Sequence, residues 1–280
     1  MQLLFFLCGA VAVAFVLVIT VYLVVSGLPA IQKVGLGNFL LGTTWDSANK
    51  TDPQYGILPF ILTSIYGTAG AILIGVPVGF MTAMFLAKAA PPKLAAVVRP
   101  AVDLLAGIPS VVYGMVGMVV LLPGIRGLFH LKAGDTLLAA ILVLAVMILP
   151  SIISVSETAL RAVPREYEEA SLALGATEME TYFRVSAPAA KSGIAAAVVL
   201  GVGRAIGEAM AIMMVAGNAA NMPGLFRSVK FLTTAVASEM SYAADGSLQK
   251  MALFSIGLVL FLFIMMINVF LNLVLKREKE

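Results

Sequence analysis

The chain has 280 residues, of which 61% are hydrophobic and 12% are charged, and its net charge is +3. Soluble domains are about 45–50% apolar and about 25% charged, so this composition excludes a soluble globular protein and indicates an integral membrane protein. The small net charge and the lack of a basic run argue against a nucleic-acid partner. A single cysteine, Cys8, excludes an internal disulfide.

Six apolar stretches of the sequence are long enough to cross a membrane, which takes about 20 apolar residues in a helix. We therefore predict an all-α integral membrane protein with six transmembrane helices in a single domain. The predicted spans are about residues 3–25, 63–86, 101–122, 136–156, 193–217 and 251–275.

The orientation of the chain follows from the basic residues between the spans. Six spans place both termini on one side, and that side carries ten Lys and Arg residues against seven on the other. Because cytoplasmic loops are enriched in Lys and Arg, we predict a multi-pass membrane protein with cytoplasmic N and C termini.

The third predicted span is interrupted by Asp103 and by Pro109-Ser110. Proline removes a backbone donor and clashes with the preceding helical turn. Freed backbone groups at membrane depth are tolerated where they meet protein or water. We therefore expect Asp103 and Ser110 to line a substrate pathway. The alternative is an ordinary kinked helix, with Asp103 beside Arg99 near the cytoplasmic interface.

The polar stretch at residues 164–188 separates the fourth and fifth spans and contains five glutamates. Pro164 suits the first turn of a helix, and Gly175 suits a left-handed stop at its end. Thr177 and Glu180 have the spacing of a capping box that opens a second helix. The stretch therefore predicts two short helices with a sharp bend, outside the bilayer. They form either a surface for a soluble partner or only an amphipathic connector.

Arg204 and Glu208 are charged residues inside the fifth predicted span. A charge at mid-bilayer costs from about 2.5 to more than 10 kcal/mol, so these side chains face protein or water. Their spacing predicts a shared helix face. In the functional interpretation Arg204 offers a transient anion site and Glu208 holds it in place. The alternative is a self-neutralising pair that only fixes helix packing.

The spacing within the polar stretch resembles the EAA loop of ABC importer permeases, which reads Glu-Ala-Ala, three residues, Gly, nine residues, then Ile-x-Leu-Pro. Here it reads Glu169-Ala170-Ser171, three residues, Gly175, nine residues, then Val185-Ser186-Ala187-Pro188. The resemblance implies a type I ABC importer (MetI-like) permease fold and a loop that docks onto an ATP-hydrolysing subunit. The coupling residues it implies are Glu168, Glu169, Ala170, Gly175 and Pro188.

Four further segments resemble the permeases of ABC phosphate importers, the PstC type more than the paired PstA type. They are Trp45-Asp46, Tyr55-Gly56-Ile57-Leu58-Pro59-Phe60, Ala106-Gly107-Ile108-Pro109-Ser110-Val111-Val112-Tyr113-Gly114 and Gly203-Arg204-Ala205-Ile206-Gly207-Glu208-Ala209-Met210. The last segment resembles the family run whose Arg and Glu are implicated in phosphate passage, which implies that role for Arg204 and Glu208.

The partners implied by this resemblance are a PstA-like second permease, two PstB-like ATP-binding subunits and a PstS-like extracytoplasmic phosphate-binding protein. The resemblance also implies that the chain lies in the lipid bilayer of a bacterial plasma (inner) membrane. The sequence has no P-loop, no His/Cys metal cluster and no Ser/His/Asp arrangement. We therefore expect a transport subunit that is not an enzyme and binds no cofactor, with ATP used by a partner. Alternatives are an ABC permease for sulfate, molybdate or another small solute, and a stand-alone secondary transporter. The EAA spacing and the lack of an inverted repeat disfavour the secondary transporter.

Overall fold

A computed structural model describes residues 1–47, 49 and 51–277. Its helices are α1 (Gln2–Val34), α2 (Leu36–Leu41), α3 (Leu58–Met84), α4 (Pro92–Gly107), α5 (Ser110–Val116), α6 (Leu122–Leu128), α7 (Leu137–Arg161), α8 (Arg165–Ala173), α9 (Glu178–Thr181), α10 (Ala187–Ala189), α11 (Lys191–Gly207), α12 (Met210–Val215), α13 (Leu232–Glu239) and α14 (Leu248–Arg277). Wider π-helical turns lie at Phe85–Ala89, Gly117–Leu121 and Tyr182–Ser186. Strand β1 (Trp45–Asp46) pairs antiparallel with β2 (Gln54–Tyr55).

Five helical segments of the described residues are long and apolar enough to cross a membrane. They are Leu4–Val34, Leu58–Ala89, Ser110–Leu128, Leu137–Arg161 and Leu248–Val269. A sixth crossing is possible if Glu178–Ala189 and Lys191–Gly207, which meet at an angle of 73°, count as one bent span.

Two of the predicted spans contain a break between helices in the structure. The third was predicted at residues 101–122, but α4 ends at Gly107 and the spanning segment begins at Ser110, because Pro109 interrupts the helix. The fifth was predicted at residues 193–217, but α11 ends at Gly207. In both cases the helix ends inside the predicted span, so the observed helix boundary differs from the predicted one.

The centre of the fold is α7, which packs along α3 and α11. The contact with α3 is close because α3 presents glycines to isoleucines of α7. A Cβ placed at Gly75 would lie 2.7 Å from the Ile148 side chain, and one at Gly79 would lie 2.8 Å from Ile152. Small residues of this kind let membrane helices approach closely.

The α1 helix lies at the periphery and packs on α14. Ser255 Oγ donates to the Gly27 carbonyl at 2.6 Å, and a Cβ at Gly27 would lie 2.9 Å from the Ser255 nitrogen. The Tyr22 and Phe254 rings meet edge to face at 5.4 Å. Most other apolar side chains of α1 are exposed, as expected of a helix that faces lipid.

The end of the fold that carries the two strands is held by the Glu239 carboxylate. It accepts hydrogen bonds from Trp45 Nε1 at 3.1 and 3.2 Å and from Ser47 Oγ at 3.2 Å. Lys230 Nζ lies 2.6 Å away, and Gln249 Nε2 also donates. This Glu239 network ties β1 to α13 and α14 at the end of α3 opposite the polar loop at residues 164–188.

Candidate functional site

The interruption between α4 and α5 is a complete break in the helix. Ile108 and Pro109 have extended backbone, and Ser110 opens the next helix as a half-buried residue. Tyr113 Oη donates to the Leu105 carbonyl at 2.7 Å, so a side chain of α5 satisfies a backbone group that the break frees on α4.

A second break separates α11 from α12 at Glu208. Glu208 has extended backbone, and its Oε1 accepts from the Ala211 N–H at 3.0 Å in the first turn of α12. Its own carbonyl accepts from Thr233 Oγ1 at 2.8 Å. The predicted shared helix face of Arg204 and Glu208 is therefore wrong, because α11 ends at Gly207 and the Glu208 carboxylate caps the next helix.

The two broken segments pack directly against each other. A Cβ at Gly114 of α5 would lie 2.8 Å from Met214 Sδ and 3.0 Å from the Ala211 Cα of α12. Arg204, near the end of α11, is half-buried and close enough to act electrostatically on the Tyr113 hydroxyl. In the described part of the chain the ion pairs join other side chains, which leaves the Arg204 guanidinium without a carboxylate.

Asp103 lies elsewhere, on the exposed surface of α4. It lines a cavity of about 300 Å³ with the charged side chains of Arg99, Glu157 and Arg161. This is the location that the alternative interpretation of Asp103, beside Arg99, predicts.

Glu157 forms a cluster that the sequence did not reveal. Its Oε1 accepts from Arg99 Nε at 2.6 Å and from Arg161 Nε at 2.9 Å. Both arginines also donate through Nη2 to the Leu86 carbonyl, at 3.1 and 3.2 Å. Glu157 is only 8% exposed. These four residues, hereafter the Glu157 cluster, join the end of α3 to α4 and α7. The i,i+4 spacing of Glu157 and Arg161 is the one part of it visible in the sequence.

The polar loop has the predicted form of two short helices with a bend. Gly175 follows α8 with a φ of +86°. The Gly175 N–H donates to the Leu172 carbonyl at 3.0 Å and the Ala176 N–H to the Ser171 carbonyl at 3.3 Å, which is the Schellman pattern of a helix end. The predicted capping box of Thr177 and Glu180 opens α9 and is confirmed.

Glu168 anchors this loop to the body of the protein. Its carboxylate pairs with Lys88 Nζ, in the π-helical turn after α3, and accepts from Ser186 Oγ at 2.7 Å. Tyr182 Oη donates to the Lys88 carbonyl at 3.3 Å. Burial raises the pKa of Glu168, but the hydrogen bonds from Lys88 and Ser186 and the charges of Lys88 and Arg165 outweigh it and hold the pKa below its ordinary value.

The other predicted coupling residues are on the outer surface of the loop. The exposed ones are Glu169, Ala170, Gly175 and Pro188. Large apolar side chains accompany them, and Leu174 is 90% exposed. The loop therefore presents acidic and apolar groups together, while Glu168 faces inward.

Comparison with known proteins identifies the family. Residues 75–279 match the family described as binding-protein-dependent transport system inner membrane component. The chain belongs to this family. It is 41% identical to the probable ABC transporter permease protein YqgH of Bacillus subtilis, over 93% of this chain and 86% of that protein. It is 37% identical to the phosphate transport system permease protein PstC of Haemophilus influenzae, over 94% and 88% of the two chains.

The fold agrees with this membership. An inward-facing structure of the MetNI methionine ABC transporter matches with a TM-score of 0.62 at 21% identity, over 79% of this chain and 95% of that one. The predicted type I ABC importer fold of the permease is confirmed. The family also identifies the chain as a multi-pass transport subunit of the inner membrane.

Proposed function

We propose that this permease is the PstC-type subunit of an ATP-driven importer of inorganic phosphate. The observation that carries the proposal is the half-buried Arg204 guanidinium, which has no carboxylate partner among the described residues and lies about one turn before the break between α11 and α12. The names of relatives that are 31–37% identical, from several bacteria, support phosphate as the solute.

The chemistry of Arg204 suits an oxyanion in transit. A guanidinium offers two aligned N–H donors to a phosphate, and a charge inside a membrane protein marks a substrate or ion path. Broken helices at membrane depth are the usual setting of such sites, because backbone groups freed there need polar partners. The Glu208 carboxylate is engaged by the Ala211 N–H, so it shapes the break and leaves the guanidinium open to the anion.

The energy for transport is proposed to come from ATP hydrolysis in partner subunits that dock on the loop at residues 164–188. The exposed groups around Glu169, Leu174 and Gly175 provide the contact, and the inward bonds of Glu168 make the loop move with the end of α3. The remaining partners are a second permease and an extracytoplasmic phosphate-binding protein that supplies most of the selectivity. The termini then lie in the cytoplasm, on the same side as the loop.

The test is reconstitution of the permease with its co-expressed partners in proteoliposomes. We expect an ATPase to co-purify, and we expect the phosphate-loaded binding protein to stimulate both ATP hydrolysis and uptake of labelled phosphate. Sulfate and molybdate should stimulate neither. Stimulation by sulfate in place of phosphate would assign another oxyanion, and uptake without any ATPase subunit would indicate a secondary transporter.

A further inference from the structure

The π-helical turn Phe85–Ala89 lies between the polar loop at residues 164–188 and α4, the helix that leads into the break before α5. It closes with a bond from the Ala90 N–H to the Phe85 carbonyl at 2.7 Å. The last carbonyls of a helix lack partners within the helix, so they are free to accept from side chains. In this turn the free Leu86 carbonyl accepts hydrogen bonds from both arginines of the Glu157 cluster.

On one side the turn is fastened to the loop. Lys88 Nζ pairs with Glu168 of α8, and the Lys88 carbonyl accepts from Tyr182 of the segment that follows α9. The two helices of the loop are themselves joined by the Ser171 and Thr181 hydroxyls at 2.9 Å. A displacement of the loop therefore pulls on Lys88.

On the other side the turn is fastened to the helix that leads into the first break. Arg99 lies on α4 and links the Leu86 carbonyl to the Glu157 carboxylate through two different nitrogens. The same helix carries Leu105, whose carbonyl accepts from Tyr113 across the break. Tyr113 in turn lies within electrostatic reach of Arg204. The contacts form one continuous route from the loop to the break between α4 and α5.

We propose that Arg99, Glu157 and Arg161 are positioning residues that transmit movement of the loop to the break between α4 and α5. The inference rests on the proposed coupling of this loop to an ATPase. Each arginine binds a carboxylate and a backbone carbonyl at once, which the planar guanidinium fork allows and a lysine ammonium does not reproduce. The cluster therefore makes the end of α3, α4 and α7 move as one unit.

The first experiment measures the ATP hydrolysed per solute transported by the reconstituted full complex. For Arg99→Gln and Glu157→Gln we expect ATP hydrolysis to persist while uptake falls, so that this ratio rises about tenfold, within the usual range of coupling between sites. Arg99→Lys should restore part of the coupling. The matched control is Glu239→Gln, which disturbs a carboxylate network of similar burial at the opposite end of α3 and should leave the ratio unchanged.

A wild-type ratio in assembled Arg99→Gln and Glu157→Gln complexes would overturn the proposal, because a merely structural cluster affects yield and not coupling. Should these two variants fail to assemble, Arg99→Lys decides, since it keeps the charge beside Glu157. Full coupling in Arg99→Lys would then refute transmission through the bidentate contact.

The second experiment needs no solute and so separates failure of this inference from failure of the phosphate assignment. Cys8 is the only cysteine in the sequence, and Cys8→Ser gives a background for Ser110→Cys at the start of α5. Labelling of this thiol by a hydrophilic reagent should differ between nucleotide-free and vanadate-trapped complexes. Adding Arg99→Gln should abolish the difference. An unchanged difference would contradict the route through the cluster.

Discussion

Gly175 offers the sharpest test of the loop, because its replacement changes backbone preference without filling space. The residue has a φ of +86°, where side chains with a Cβ are strained, yet a Cβ placed there would meet nothing within 4 Å. Within this chain, Gly175→Val therefore acts only through the backbone. Its strain can be relieved by unwinding the end of α8, which would move Ser171 away from Thr181.

The expected cost follows from this geometry. A non-glycine residue in the left-handed region costs about 1–3 kcal/mol, and a β-branched residue lies toward the upper end. A cost of about 2 kcal/mol shifts the balance between the bent and unwound loop about thirtyfold. Gly175→Asn is the matched control, because asparagine visits this region readily.

Reconstituted complexes provide the assay. Gly175→Val should insert and assemble normally but lose most uptake and hydrolyse more ATP per solute. Gly175→Asn should remain close to wild type. If the valine variant couples hydrolysis to uptake at the wild-type ratio, the bent form of this loop has no part in coupling.

Two further predictions follow from the charged groups. Arg204→Lys should keep part of the phosphate uptake and Arg204→Gln should lose nearly all of it. Glu208→Gln should assemble and transport, because its amide oxygen still accepts from the Ala211 N–H. Equal uptake by all three variants would show that Arg204 is not part of the pathway. The Glu168 pKa is lowered in the folded protein, so its stabilising contribution is present above the ordinary pKa of about 4.5 and is lost as the pH falls through the lower folded value. The thermal unfolding temperature in detergent should therefore fall below about pH 4.5. In Glu168→Gln this fall should be smaller. An identical profile in the variant would contradict the Lys88 anchor.

The features that the sequence predicts well are those with local causes. The bend at Gly175 and the capping box of Thr177 and Glu180 depend on residues within one or two turns, so both can be predicted from the local sequence. The break at Pro109 also has a local cause, since an interior proline removes a backbone donor and clashes with the preceding helical turn. Proline alone does not decide a break, however, because four other prolines lie inside continuous helices: Pro29, Pro77, Pro100 and Pro150.

The features that the sequence did not predict depend on distant partners. The second break at Glu208 is supported by Thr233, 25 residues further on, so the apolar run around it indicated an unbroken span. Arg99 lies 58 residues before Glu157, and Leu86 lies 75 residues before Arg161. The spacing of neighbouring residues in the sequence cannot predict contacts over such distances, so the Glu157 cluster is found only in the folded structure.

The contact between α1 and α14 has a consequence for biogenesis. Ser255 and Gly27 are separated by 228 residues, so their hydrogen bond cannot form until nearly all of the chain has been synthesised. During synthesis at roughly 5–20 residues per second, α1 waits in the bilayer for ten seconds or more without the neighbour on which it packs. The almost wholly apolar surface of α1 keeps it stable in the bilayer during this time, because lipid solvates the side chains that a partner helix would otherwise cover.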